Sequence, residues 1–212
     1  MDISWLGHAS FKLKGKNATV VTDPYNAQIG VKMPKVEADI VTVSHGHFDH
    51  NEVGAVSGEP FVVQGPGEYE VKGVEIVGVS SFHDTKEGAE RGKNTIYNLK
   101  MDKLNICHLG DLGQETLTEA QVEEIGNVDI LLIPVGGFFT IDASMAVKIA
   151  AQLEPKIIIP MHYKTSDSKI DQLAGVDKFL KEMGKENIEP LPKLTITPDK
   201  LPEEAQVVLL EK

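Results

Sequence analysis

The sequence predicts an α/β fold in which two β-sheets pack face to face, with helices on the outside. In the first half of the chain, short segments rich in Val, Ile and Phe are separated by Gly, Pro, Asn or Asp, as is typical of strands. Helical patterns are confined to the second half. There they alternate with continuous apolar runs, which indicate strands buried on both faces.

The strands predicted in the first half combine β-branched and aromatic residues with flanking turn residues. A Gly-Pro-Gly sequence at residues 65–67 predicts a turn between two of them. The predicted strands cover residues 2–6, 11–13, 18–22, 40–43, 61–63, 68–72, 74–79 and 95–101.

The second half is predicted to alternate strands with helices. Thr118 and Gln121 have the spacing of a capping box, which predicts a short helix after Thr118. Asp142 is predicted to cap a helix that runs to residue 153. Apolar spacing predicts a third helix over residues 170–183. Further strands are predicted at residues 103–107, 130–135, 157–160, 194–197 and 206–210.

Composition narrows the class of partner. No linker-like stretch, low-complexity segment or repeat interrupts the 212 residues, so one domain spanning 1–212 is predicted. The net charge is −11, which does not attract a phosphate backbone, and Arg91 is the only arginine available for a bidentate phosphate contact. We therefore expect a small-molecule substrate and no nucleic-acid partner.

Cysteine usage and the N-terminal sequence bear on the compartment. Cys107 is the single cysteine, so neither an intrachain disulfide nor a cysteine-based zinc site is expected. The first residues lack the basic region and apolar run of a signal peptide. No apolar stretch approaches the roughly 18 to 20 residues that span a bilayer. A cytoplasmic protein without membrane insertion is predicted, and a homo-oligomer remains open.

The most informative segment is Ser-His-Gly-His-Phe-Asp-His-Asn at residues 44–51, directly after a predicted strand. In an extended segment His45 and His47 project to one side, and Asp49 and His50 follow where the chain can turn toward a second ion. Imidazole and carboxylate groups suit zinc, iron and similar metals. The alternative is a solvated histidine-rich loop, which is disfavoured because the motif follows a buried strand.

The pattern His-x-His-x-Asp-His after a strand resembles the signature of the metallo-β-lactamase superfamily. The flanking sequence is similar to its ascorbate-phosphate-lactonase-like branch of small metal-dependent hydrolases. The resemblance implies a four-layer αββα sandwich with two divalent metal ions at one edge. The segments that carry it are residues 5–11, 22–24, 44–51, 65–69, 108–113, 134–137 and 160–163.

The resemblance also implies a ligand set. It assigns one histidine-only group to the first metal, a mixed group to the second, and a bridging carboxylate from a Gly-Asp pair. His108 competes with His83 for the third position of the first group, and His83 is preferred because it lies upstream of the Gly-Asp strand. The implied ligands are His45, His47 and His83 for the first metal, Asp49, His50 and His162 for the second, and Asp111 as the bridge.

Other residues receive supporting roles. Asp23 matches the family's early aspartate, expected to accept an N–H from a ligand histidine and fix its tautomer. His8 is interpreted as a packed or supporting residue rather than a catalytic one. Arg91 and Lys164 are candidates for holding an anionic substrate group, with solvated surface charges as the equal alternative.

The implied activity is hydrolysis of a lactone or ester of a small substrate by a hydroxide that bridges two metals. Zinc is the expected metal, with manganese or iron as alternatives. Asp49 is predicted to be catalytic as well as a ligand, by orienting the hydroxide or relaying its proton. Phosphodiester hydrolysis at the same site is the main alternative. A non-catalytic metal-binding module and a diiron oxidoreductase are further alternatives.

Overall fold

A computed structural model describes residues 1–212 and contains two large sheets, one small sheet and three α-helices. The helices are α1 (Glu119–Ile125), α2 (Ala143–Leu153) and α3 (Val176–Glu182). The strands are β1 (Asp2–Gly7), β2 (Ser10–Lys14), β3 (Thr19–Thr22), β4 (Val36–Glu37), β5 (Ile40–Val43), β6 (Val56–Ser57), β7 (Phe61–Gln64), β8 (Gly67–Val71), β9 (Val74–Phe82), β10 (Lys93–Met101), β11 (Leu104–His108), β12 (Ile130–Pro134), β13 (Ile157–Met161), β14 (Leu194–Thr195) and β15 (Gln206–Val207).

Strand order brings several strand ends to one edge of the molecule. The six-stranded sheet has the order β14-β1-β2-β3-β5-β7, and the seven-stranded sheet has the order β15-β13-β12-β11-β10-β9-β8. In the first sheet β3 runs parallel to β5, and in the second β11, β12 and β13 are parallel to one another. Within each sheet, the residues that follow these parallel strands therefore lie at a common edge.

The two sheets enclose the main core, and alternate side chains of the central strands serve different layers. Ile130 and Leu132 of β12 belong to the cluster between the sheets, whereas Leu131 and Ile133 pack with the helices. All five residues of β12 are buried, which confirms the prediction of a strand covered on both faces. The predicted α/β sandwich is confirmed.

The outer face of the six-stranded sheet has a different cover. Val21 and Val41 of this sheet pack with Tyr25 and Ile29, which belong to the connection after β3. Ile29 ends a short 3₁₀ helix. The three α-helices instead belong to the cluster on the outer face of the seven-stranded sheet, where α3 packs against α2.

Local capping signals locate the first two helices. Thr118 and Gln121 form the predicted capping box at α1. The Asp142 side chain accepts a hydrogen bond from Met145 N at 2.9 Å and begins α2 as predicted. No helix of the protein has both the length and the apolar character needed to cross a membrane.

The third helix was predicted to begin too early. It starts at Val176 rather than at residue 170, because the preceding backbone is bonded to other parts of the chain. Ala174 N donates to Gly136 O at 2.8 Å, and Lys164 N donates to Ala174 O at 2.9 Å. Gly175 is extended, with φ −71° and ψ 163°. The closing strands are also shorter than predicted, and the pairing of β4 with β6 was not predicted.

Candidate metal centre

The histidine-rich motif leaves the end of β5 and is shaped by a buried carboxylate. Asp23 follows the parallel neighbour β3 and is fully buried. It accepts hydrogen bonds from Ser44 N at 2.8 Å, from the Ser44 hydroxyl and from His50 Nδ1 at 2.8 Å. His50 N also donates to His47 O at 3.0 Å, which closes a turn over the motif. Asp23 therefore contacts a histidine of the motif, and its role in fixing the tautomer of a metal ligand stays a prediction.

Asp111 lies at the centre of the site. It follows β11 in the other sheet and is 2% exposed, so its carboxylate is shielded from solvent. Four ring nitrogens from three chain segments approach it, so side chains from both sheets meet at this carboxylate. Asp111 Oδ2 lies 3.2 Å from His50 Nε2, 3.3 Å from His83 Nε2, 3.3 Å from His162 Nε2 and 4.0 Å from His45 Nε2.

Two groups of metal-binding side chains surround Asp111. One consists of His45, His47 and His83, and in it His45 Nε2 lies 3.1 Å from His47 Nδ1. The other consists of His8, Asp49, His50 and His162, and a third set, Asp23 with His45 and His50, overlaps both. Within each group the candidate donor atoms lie within 4.8 Å of one another. The grouping follows the one that the resemblance implies, with His8 added, and metal ligation itself stays a prediction.

The hydrogen bonding of His50 tests whether these residues suit a cation. Because its Nδ1 donates to Asp23, a neutral His50 ring presents a lone pair at Nε2. In that neutral form the lone pair faces the Asp111 carboxylate at 3.2 Å, and either a proton or a cation is needed between the two acceptors. Buried polar atoms without a partner include His50 Nε2, Asp111 Oδ1 and both ring nitrogens of His162. A divalent cation would satisfy this arrangement, so the residues fit a metal site.

Burial keeps several of the rings neutral. Burial lowers the pKa of His45 to about 3 and that of His8 to about 4, with further lowering by neighbouring histidines. A neutral imidazole has the free lone pair that a metal requires. For His50, burial acts against the charged form, but Asp111 and Asp23 outweigh it and raise the pKa well above its ordinary value. Metal binding would displace that proton.

The two carboxylates of the site remain ionised. Burial works against ionisation of Asp111, but His162 and His50 hold its pKa well below the ordinary value. Burial likewise opposes ionisation of Asp49, and the hydrogen bond from His8 together with the charge of His50 lowers its pKa nonetheless. Both carboxylates are therefore available as anionic ligands at neutral pH.

His8 lies inside the site, a position that sequence reasoning left undecided. Its Nε2 is 3.3 Å from Asp49 Oδ2, and its ring centroid is 4.1 Å from that of His162. The backbone at His8 has φ +54° and its carbonyl accepts hydrogen bonds from Trp5 Nε1 at 3.0 Å and from His162 N at 3.1 Å. The turn between β1 and β2 thus holds the ring against Asp49.

His108 and Lys164 lie away from the donor groups. His108 Nε2 is 2.7 Å from Ala9 O in the buried interior, so the structure favours His83 over His108 beside Asp111. Lys164 was a candidate for holding a substrate anion, with a surface charge as the equal alternative, and its position favours the alternative over contact with the cavity described below. Its ammonium donates to Ser168 O at 2.8 Å and to Asp171 at 2.7 Å, and it does not line that cavity.

A cavity of about 380 Å³ opens onto the site. Asp49, Asp111, His47 and His83 form its polar part. Phe48, Phe139 and Ile170 form its apolar part, and Arg91 completes the lining. Sequence reasoning named Arg91 as a candidate but missed Phe48 and Ile170. Nothing in the local pattern around Ile170 relates it to a motif so distant in the chain.

Comparisons with known proteins agree with this geometry. A family model described as the beta-lactamase superfamily domain matches residues 2–162. A UPF0173 metal-dependent hydrolase from Thermococcus kodakarensis is 31% identical, with 78% of this chain and 85% of the relative covered. Another, from Thermoplasma volcanium, is 32% identical, with 79% and 85% covered.

Solved structures extend the comparison. One from Thermotoga maritima, assigned to the metallo-beta-lactamase superfamily as a Zn-dependent hydrolase, is 42% identical with a TM-score of 0.81, covering 99% of this chain and 97% of that one. An isothiocyanate hydrolase from Delia radicum gut bacteria is 15% identical with a TM-score of 0.68, covering 93% and 99%, and shows a shared fold alone. The chain therefore belongs to the metallo-β-lactamase superfamily, as a metal-dependent hydrolase related to the UPF0173 proteins.

Proposed function

We propose that the protein binds two divalent metal ions, most simply zinc, and hydrolyses a lactone or ester bond of a small substrate. Manganese and iron are the alternative metals. The observation that carries the proposal is the meeting of two donor groups at Asp111, one of three histidines and one that combines histidines with Asp49. The 380 Å³ cavity suits a small molecule.

In this proposal His45, His47 and His83 would hold one ion, Asp49, His50 and His162 would hold the other, and Asp111 would be available to both. Two such ions would supply Lewis acidity and a water nucleophile that is available near neutral pH. The cavity lining contains neither serine nor cysteine, which favours such a water over a hydroxyl or thiol of the chain as the nucleophile.

We propose that Asp49 is the general base and acid of the reaction. It lies on the cavity wall, its side chain is 18% exposed, and its Oδ2 is 3.3 Å from His8 Nε2. His8 is buried and held by its own backbone hydrogen bonds, so it fixes the carboxylate in place. Asp49 would accept a proton during attack and return it to the leaving oxygen.

Phosphodiester hydrolysis at the same site is the second candidate. Arg91 on the cavity wall favours it, because a guanidinium can bind a phosphoryl group through two hydrogen bonds. A non-catalytic metal-binding module is less well supported, because an open cavity reaches the donor groups. The single buried Cys107 supports a reducing, cytoplasmic setting as part of the proposal.

The test combines metal analysis with activity. Protein purified without a histidine tag would be analysed for metal content and assayed on a lactone, an aryl ester and a bis-aryl phosphodiester. Two metals per chain and turnover are expected, with both reduced in His45→Ala. His108→Gln is the matched control, because it removes a buried histidine outside both donor groups and should retain the metals. Less than one metal after reconstitution, with no turnover on any substrate, would refute the proposal.

A further inference from the structure

Arg91 is the only arginine of the chain, and its guanidinium has no hydrogen-bonding or charged partner in the protein. Its side chain forms neither a hydrogen bond nor a salt bridge, although the protein carries 32 acidic residues. The neighbouring Lys86, in contrast, pairs with Glu90 at 2.6 Å. A partly buried arginine that lines a cavity and bonds to none of its acceptors has its hydrogen-bond donors free for a ligand.

The backbone around Arg91 is held in place by a carboxylate next to the metal centre. Asp84 directly follows His83, is 3% exposed and caps the loop that leads to Arg91. Its four backbone hydrogen bonds make Asp84 a fixed anchor for this loop. Asp84 accepts from the backbone N–H groups of Arg91 at 2.7 Å, Lys86 at 2.8 Å, Gly88 at 2.9 Å and Glu90 at 3.0 Å.

The side chain of Arg91 is oriented by an aromatic ring. Its guanidinium carbon lies 5.8 Å from the centroid of the Phe139 ring, and both residues line the cavity. A guanidinium that lies over an aromatic face keeps its N–H groups available for a planar, two-oxygen acceptor. Phe48, which is 56% exposed, and Ile170 add apolar surface to the same cavity.

We propose that Arg91 determines substrate specificity by binding an anionic oxygen group, a carboxylate or a phosphate. The apolar body of that substrate then lies among Phe48, Phe139 and Ile170, and its scissile bond lies at Asp49 and Asp111. This inference rests on the proposed hydrolytic function, since it names the class of substrate that the same cavity accepts.

Matched substrates and variants test the proposal. Phenyl acetate is neutral, 4-acetoxybenzoate carries a carboxylate, and 4-acetoxyphenyl phosphate carries a phosphate. Arg91→Met removes the charge but keeps the backbone N–H that Asp84 binds, whereas Arg91→Lys keeps the charge and loses the two-pronged donor. Lys93→Met is the control, because it removes the same charge at an exposed position that does not line the cavity.

With zinc-loaded protein, Arg91→Met should lower kcat/KM for the anionic ester by about 10- to 100-fold, mainly through KM, as expected for loss of a charged hydrogen bond. Arg91→Lys should restore part of the loss. Arg91→Met should change kcat/KM for phenyl acetate by less than about twofold. Lys93→Met should change kcat/KM for the anionic esters by less than about twofold, as expected for the loss of an exposed charge. The preferred anionic ester decides between carboxylate and phosphate. Equal losses on neutral and anionic esters, or no loss, would overturn the proposal.

A binding measurement separates this proposal from the hydrolytic one. If the wild-type protein hydrolyses none of the esters, titration calorimetry with benzoate, phenylphosphonate and benzamide still tests Arg91. The wild-type and Lys93→Met proteins should bind one of the anions more tightly than benzamide. The Arg91→Met protein should bind that same anion about tenfold more weakly than the wild type. The same affinity in all three proteins, or no preference for the anions over benzamide, would overturn the role of Arg91.

Discussion

Replacing Asp23 with asparagine should weaken metal binding although Asp23 is not itself a proposed ligand. Asp23 Oδ1 accepts from Ser44 N at 2.8 Å, and Oδ2 accepts from His50 Nδ1 at 2.8 Å. An asparagine that keeps its oxygen toward Ser44 N presents its NH₂ to His50 Nδ1. The ring must then accept at Nδ1 and carry its proton at Nε2, the atom that faces Asp111 at 3.2 Å.

The expected size follows from the tautomer. A proton at Nε2 removes the lone pair that we assign to the second ion, and loss of such an outer hydrogen bond lowers metal affinity by about 10- to 100-fold. That range corresponds to about 1.4 to 2.7 kcal/mol. The first group, His45, His47 and His83, does not include His50, so we expect one ion to be weakened more than the other.

Competition with a chromophoric chelator measures both zinc affinities in one titration. Asp23→Asn should show one site weakened by the stated factor, and the metal content after dialysis should fall from two ions toward one. Asp142→Asn is the control, because it removes an equal charge at the cap of α2, where asparagine also caps well. Thermal unfolding of the metal-free proteins checks that the fold survives. Unchanged zinc affinity at both sites in a folded Asp23→Asn protein would refute this account of the site.

Two further predictions concern turnover and pH. Asp49→Asn should lower kcat by about 100- to 10,000-fold, the usual range for loss of a general base. The comparison uses protein that elemental analysis shows to retain two metals per chain. An unchanged kcat in that protein would exclude a role for Asp49 in proton transfer. In the metal-free folded protein, the pKa is about 4 for His8 and about 3 for His45, and both values lie below that of an unfolded histidine. As the pH falls from 6.5 to 5, the unfolded chain therefore binds protons at these two rings that the folded protein does not bind. Stability should therefore fall by about 2 to 4 kcal/mol over this window, at up to 1.4 kcal/mol per pH unit for each ring. His50, whose pKa is raised, gives a contribution that is fully present below pH 6.5 and does not offset the loss. Urea unfolding at both pH values measures the difference, and equal or greater stability at pH 5 would contradict the burial of neutral rings.

Some parts of the fold were predictable because their causes are local. The capping box of Thr118 and Gln121 begins α1, and Asp142 begins α2, since each cap is a hydrogen bond between residues close in sequence. The start of α3 was not predictable. Ala174 is bonded to Gly136 and to Lys164, so its backbone is committed to partners that no local pattern reveals.

The candidate metal ligands also divide into those that a local motif reveals and those that only the tertiary structure separates. His45, His47, Asp49 and His50 could be recognised together because one short loop after one strand carries them. His83 and His108 are harder to separate, since each stands at a strand end. His108 is the last residue of β11 and its ring turns toward Ala9, whereas His83 lies just past β9 and reaches Asp111.

Sequence alone therefore determined the fold class, the superfamily resemblance and the motif at residues 44–51, because strand patterns, caps and loop motifs are short-range features. Only the tertiary structure decided which distant side chains share the site. It brought His8 against Asp49, turned Lys164 toward Asp171, and left Arg91 free beside Phe139. The physical reason is that these outcomes depend on which strand ends meet between the two sheets and on hydrogen bonds between segments far apart in the chain.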